Sequence, residues 1–76
     1  MFYVYLIKNQ AENKTYIGFT SNLVRRLKEH KAKKPKLVYY EAYVNEQDAR
    51  KREQILKQRG QAVRRLKERI KGSLKG

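Results

Sequence analysis

The run Phe2-Tyr3-Val4-Tyr5-Leu6-Ile7 most constrains this chain. Aromatic, β-branched and aliphatic residues fill it without interruption, which predicts a strand. Neither face alternates to polar, so the strand belongs in the middle of a sheet with cover on both sides. The chain has only 76 residues and no cysteine. A single small domain must therefore cover that strand with helices and further strands, without disulfides or a thiolate metal site. Six Tyr and two Phe supply the large packing groups that a 39% apolar composition needs for a folded domain.

Asn9 to Asn13 is a polar turn, and Lys14 to Phe19 returns as a second strand, making a hairpin. Gly18 inside that strand predicts a close backbone approach or a bulge. Ser21 or Asn22 can cap a helix over Leu23 to Lys31. Pro35 stops it and pushes Lys34 to extended geometry. Residues 31–36 form a basic loop. Leu37 to Val44 reads as a third strand, with Leu37, Tyr39, Glu41 and Tyr43 on one face. Asn45 caps a second helix that runs to about Arg59, with Gly60 as its stop. A third helix covers about Gln61 to Lys71, and the last residues are expected to fray. The expected fold class is α/β (α+β): a three-stranded antiparallel sheet flanked by helices in the order β-β-α-β-α-α. One domain spans 1–76, with a core at about 2–60 and a C-terminal helix at about 61–71.

The formal charge is +13. Residues 1–45 hold nine basic and three acidic side chains, and residues 46–76 hold eleven and four. The excess is thus spread over the whole body, which excludes a basic tail on a neutral domain. Such charge repels itself in a compact state and points to a polyanionic partner, nucleic acid before membrane. No apolar run approaches membrane-span length, and the N-terminus lacks a signal-peptide layout. The expected location is cytoplasmic.

Arg26 and His30 are four apart and share a helix face, which borders the stripe of Leu23 and Leu27. With Tyr16 in the preceding strand, a phenol, a guanidinium and an imidazole meet at one edge of the core. Such a set can bind a phosphate and move a proton. Taken singly, each has a plainer reading. Tyr5 and Tyr16 are core tyrosines, Arg26 is a solvated charge, and His30 is a satisfied border histidine. Glu53 lies beside the buried stripe of its helix, where a carboxylate needs a partner. Arg50, Lys57 and Arg26 are candidate partners, and a cation is another.

Together, in this order, these residues resemble the GIY-YIG nuclease domain, and the likeness is closest to its small single-domain bacterial members. Tyr3-Val4-Tyr5 stands at the first motif, and Tyr16-Ile17-Gly18 matches the second. Arg26 follows the second-motif Tyr by ten residues, and His30 comes four later. Ala49 and Glu53 match the setting of the family's helical carboxylate. The resemblance covers about residues 2–60. It implies hydrolysis of DNA phosphodiester bonds by an endonuclease, including branched or damaged DNA of the kind met in DNA repair. It also implies one divalent ion, Mg2+ or Mn2+, held by Glu53. Arg26 would bind the scissile phosphate, and Tyr16 would act as general base or orient the attacking water. Tyr5 would hydrogen-bond phosphate or water, and His30 would relay the proton. A free phenol titrates near pH ~10, so base work by Tyr16 requires nearby cations to lower it. Arg25, Lys28, Lys31, Lys33 and Lys34 are the expected nucleic-acid contacts.

Three departures stand out. Tyr3 replaces the first-motif Gly, Phe19 occupies a position that is Lys in some members, and no Asn follows Glu53 unless Gln58 or Gln61 substitutes. With the charge, these departures leave a second reading: a basic nucleic-acid-binding module with little or no catalytic activity. A partner protein or a weak homodimer is a third way to supply specificity.

Overall fold

The computed structural model describes residues 1–29, 31 and 34–75. Three strands, β1 (Phe2–Asn9), β2 (Lys14–Thr20) and β3 (Pro35–Tyr43), form one antiparallel sheet in the order β2-β1-β3. The helices are α1 (Leu23–Glu29), α2 (Glu46–Gln58), α3 (Gly60–Arg69) and a short α4 (Lys71–Lys75). The expected order of elements is found. The continuously apolar run is the central strand, and Val4, Tyr5, Leu6 and Ile7 are all buried.

The alternation of a strand sends neighbouring side chains to opposite faces. Val4 is part of the core with Ala49 and Leu56 of α2 and Leu66 of α3. Phe2, Ile17, Phe19, Tyr39 and Tyr43 pack around it. On the other face Tyr5 reaches Arg26 of α1, so β1 is covered on both sides. Asn22 is the cap of α1, its Oδ1 accepting from the Arg25 N–H at 3.0 Å, and Ser21 is not used. Asn45 caps α2 in the same way, accepting from the Asp48 N–H at 3.0 Å. The Asn9–Asn13 turn closes with Asn13 in the left-handed region, φ 55°.

Four expectations are corrected. Lys34 is left-handed, φ 51°, not extended. Its N–H closes a turn on the Lys31 carbonyl, and its carbonyl accepts from the Gln10 N–H, so tertiary bonding overrides the preference before Pro35. In β3, Leu6 pairs with Tyr39 but Ile7 pairs with Leu37, which makes Val38 a bulge residue. The extra residue turns Leu37 to the Tyr5 and Ile7 face, away from Tyr39, Glu41 and Tyr43. Gly60 does not stop α2 in a left-handed turn. Arg59 ends the helix in extended geometry, its N–H on the Ile55 carbonyl, and Gly60 opens α3. The chain end is helical from Lys71 to Lys75, where the Leu74 carbonyl accepts from Lys8 Nζ at 3.2 Å.

Glu41 faces the helix-covered side and binds Arg52 Nε at 3.0 Å and the Tyr39 hydroxyl at 2.6 Å; the Tyr43 hydroxyl also donates to it. Burial opposes ionisation of Glu41, but the donors from Arg52, Tyr39 and Tyr43 outweigh it and hold the carboxyl below its usual range. Burial and then Glu41 push the Tyr43 phenol up to about 12. A carboxyl depressed on folding stabilises the fold above its unfolded value, near ~4.3, and loses that contribution as pH falls through the folded value. Urea midpoints at pH 7 and pH 3 should therefore differ more for the native protein than for Glu41→Gln. At pH 7 the variant should be less stable by roughly 1–2 kcal/mol.

Candidate active site

Gly18 lies opposite Tyr5 in the β1–β2 register. The Tyr5 ring lies across it so closely that a Cβ at Gly18 would fall 2.1 Å from Tyr5 Oη and 2.3 Å from Cζ. The expected close approach is therefore between this glycine and a tyrosine ring. The Tyr5 hydroxyl, brought over β2 in this way, accepts from Arg26 Nε at 2.8 Å. Arg26 Nη1 also donates to Glu29 at 3.1 Å. The Tyr5 hydroxyl and then Glu29 favour the guanidinium and push its pKa above the usual value.

Around this edge lies a groove of about 240 Å³, lined by Tyr5, Ile7, Asn9, Tyr16, Ile17, Gly18, Phe19, Arg26, Pro35, Glu53 and Lys57. Its lining draws on both sheet faces, with Tyr5, Ile7 and Tyr16 on one and Ile17 and Phe19 on the other. Four of the five catalytic candidates, Tyr5, Tyr16, Arg26 and Glu53, line this one groove. The fifth, His30, lies outside the described residues, as does Lys33. Lys28, Lys31 and Lys34 are exposed, and so is Arg25, which also pairs with Glu29 at 3.6 Å.

Glu53 is sheltered, its side chain 18% exposed, and it pairs with Lys57 Nζ at 3.2 Å. Of the three side-chain partners open in the sequence, Lys57 is the one adopted. No group of three or more metal-ligating His, Cys, Asp or Glu side chains occurs among the described residues. Glu53 is the carboxylate that lines the groove, a hard oxygen donor of the kind that can hold a divalent cation together with water and substrate oxygens.

Tyr16 is not surrounded as base work would require. Its hydroxyl donates to Glu12 Oε2 at 3.0 Å. That hydrogen bond, then burial and the carboxylate's charge, push the phenol up, opposite to the lowering by cations that base work would require. Glu12 was not among the candidates, although it lies four residues before Tyr16 in the hairpin turn. Asn9 positions it. Asn9 is 2% exposed, and its Oδ1 accepts from the Ala11 and Glu12 N–H groups at 3.1 and 3.4 Å. Its Nδ2 is buried without a partner among the described residues. Phe19 packs toward the core, stacked on Phe2 with centroids 6.2 Å apart, and the Arg50 guanidinium lies 4.4 Å over its ring. Gln58 and Gln61 do not line the groove, whereas Asn9 does.

Residues 1–69 match the GIY-YIG catalytic domain. The chain is also 37% identical over 68 residues to a UPF0213 protein of Pediococcus pentosaceus, covering 76% of this chain and 70% of that protein. No solved structure matches. No helix among the described residues is long and apolar enough to cross a membrane. With the two tyrosine-bearing strands, the glycine under the first tyrosine and the groove they share, the domain match is decisive: the chain belongs to the GIY-YIG family of nucleases.

Proposed function

We propose that this protein is a metal-dependent endonuclease that hydrolyses DNA phosphodiester bonds, branched or damaged DNA included. The observation that carries the reading is the convergence of Tyr5, Tyr16, Arg26 and Glu53 on one groove of a +13 body.

Each side chain has a task. Arg26 is fixed by Tyr5 through Nε, which leaves other guanidinium N–H groups to face a phosphate. Tyr5 serves as the anchor for that orientation. Tyr16 orients the attacking water and takes part in moving its proton. Glu53 would hold the divalent cation, with Mg2+ or Mn2+ as the candidates. Such a cation, when bound, neutralises phosphate charge and stabilises the leaving oxygen. Lys57, released from Glu53, becomes available to the phosphate backbone. Arg25, Lys28, Lys31, Lys33 and Lys34 form the expected contact surface for DNA.

One observation favours a second reading, a nucleic-acid-binding module with little activity. Glu53 is already neutralised by Lys57. Incubation with supercoiled and branched DNA in Mg2+ or Mn2+ separates the two. The nuclease reading expects nicking that chelation abolishes. Salt-sensitive binding without nicking, by protein confirmed as folded, would instead establish the binding module. Under either reading the affinity should fall steeply with salt. A surface that neutralises about five phosphates gives a slope of log K against log salt near −4.5 for duplex DNA. A slope near zero would show that the charge does not contact the backbone.

A further inference from the structure

Resting on the nuclease reading, we propose that Glu12 is the outer proton acceptor of the hydrolysis, reached from the groove through the Tyr16 hydroxyl. A carboxylate only accepts hydrogen bonds, so the 3.0 Å contact fixes the Tyr16 proton on the Glu12 side. The remaining lone-pair capacity of the Tyr16 oxygen is left for a water in the groove that Tyr16 lines.

The hairpin is built to hold this path. Asn9 ends β1 and accepts from the Glu12 N–H at 3.4 Å through Oδ1. Asn13, in the left-handed region, turns the chain back into β2. Tyr16 pairs with Ile7 in the β1–β2 register, which sets its position against the central strand. Glu12 itself is exposed, so a proton delivered to it can pass to bulk water.

The step balances. The water oxygen bonds to phosphorus while its proton passes to Tyr16 Oη. The original phenol proton passes to Glu12 Oε2. The bond from phosphorus to the leaving oxygen breaks, and that oxygen takes a proton from solvent. No electron changes hands, and Tyr16 ends as it began. Among the described residues, the charged and titratable groups at the groove besides Tyr16 are Tyr5 of β1, Arg26 of α1, and Glu53 and Lys57 of α2, with Glu12 on the hairpin. Glu12 raises the phenol's pKa, which makes a free phenolate the harder route and a handed-on proton the easier one.

Glu12→Gln keeps an acceptor for Tyr16 but cannot take the proton. Its nicking rate at neutral pH should fall about 10²-fold, the lower end of the range for general acid–base catalysis. Its remaining activity should rise only toward the phenol range, near pH ~10. Glu12→Asp should restore part of the rate. A second readout needs no cleavage. The Tyr16 ring, followed by NMR with labelled tyrosine and assigned with Tyr16→Phe, should titrate at lower pH in Glu12→Gln than in the native protein. If the native protein nicks DNA and Glu12→Gln nicks at the same rate with the same pH profile, the relay is overturned alone. An unchanged Tyr16 titration overturns it too. If the titration moves as expected but the native protein nicks nothing, the nuclease reading fails and the relay with it.

Discussion

Gly18→Ala is expected to cost about 10²-fold or more in nicking rate and roughly 1–3 kcal/mol in stability. The new methyl would sit 2.1 Å from Tyr5 Oη, 2.3 Å from Cζ and 2.8 Å from Cε1, so the ring must leave. Tyr5 is only 4% exposed and lies on the central strand, so its ring cannot leave the glycine without disturbing the packing around it. Swinging it away also breaks the 2.8 Å bond from Arg26 Nε, which orients the guanidinium. Tyr5→Phe separates the two effects. It keeps the ring and most of the stability but releases Arg26, so its loss should fall on the rate. Melting curves and nicking rates of the two variants check this. If Gly18→Ala matches the native protein in both, the ring does not lie across the glycine in solution.

Glu53→Ala should remove nicking almost entirely while leaving DNA binding in place. Charge stabilisation by a bound cation is worth several kcal/mol in a transition state. At about 1.4 kcal/mol per decade, its loss corresponds to roughly 10³-fold or more in rate. Binding should hold or tighten, because the variant frees Lys57 and raises the net charge by one. Nicking assays in Mg2+ and in Mn2+, beside fluorescence anisotropy with labelled DNA, read the two effects apart. Equal nicking by variant and native protein would overturn the role of Glu53.

The difference between what the sequence disclosed and what it hid has physical causes. The central strand was legible because six consecutive large side chains admit few other placements. Tyr5, Tyr16, Arg26 and Glu53 were legible as a set because their order along the chain is that of the family motifs. The partner of Tyr16 was not. Glu12 is one acid in a polar turn, and only the fold of that turn, fixed by the buried Asn9, brings it to the phenol. The Val38 bulge was equally hidden, since strict alternation is the default for a strand and one extra residue reverses every facing before it. The Glu41–Arg52 pair spans strand and helix, and no local spacing announces it.

The placement of β1 has a consequence for motion. A strand bonded on both edges and packed on both faces opens only when the whole domain does, so its amides should be among the slowest to exchange with deuterium. β2 has a free edge, and its hairpin end is exposed. Amides from Glu12 to Tyr16 should exchange through local fluctuations. Tyr5 then belongs to a part of the groove as rigid as the fold, whereas Tyr16 and its proton path ride on a part that can breathe. Under the proposed nuclease function, a nucleic-acid strand enters and leaves at the pliable side without disturbing the anchored arginine.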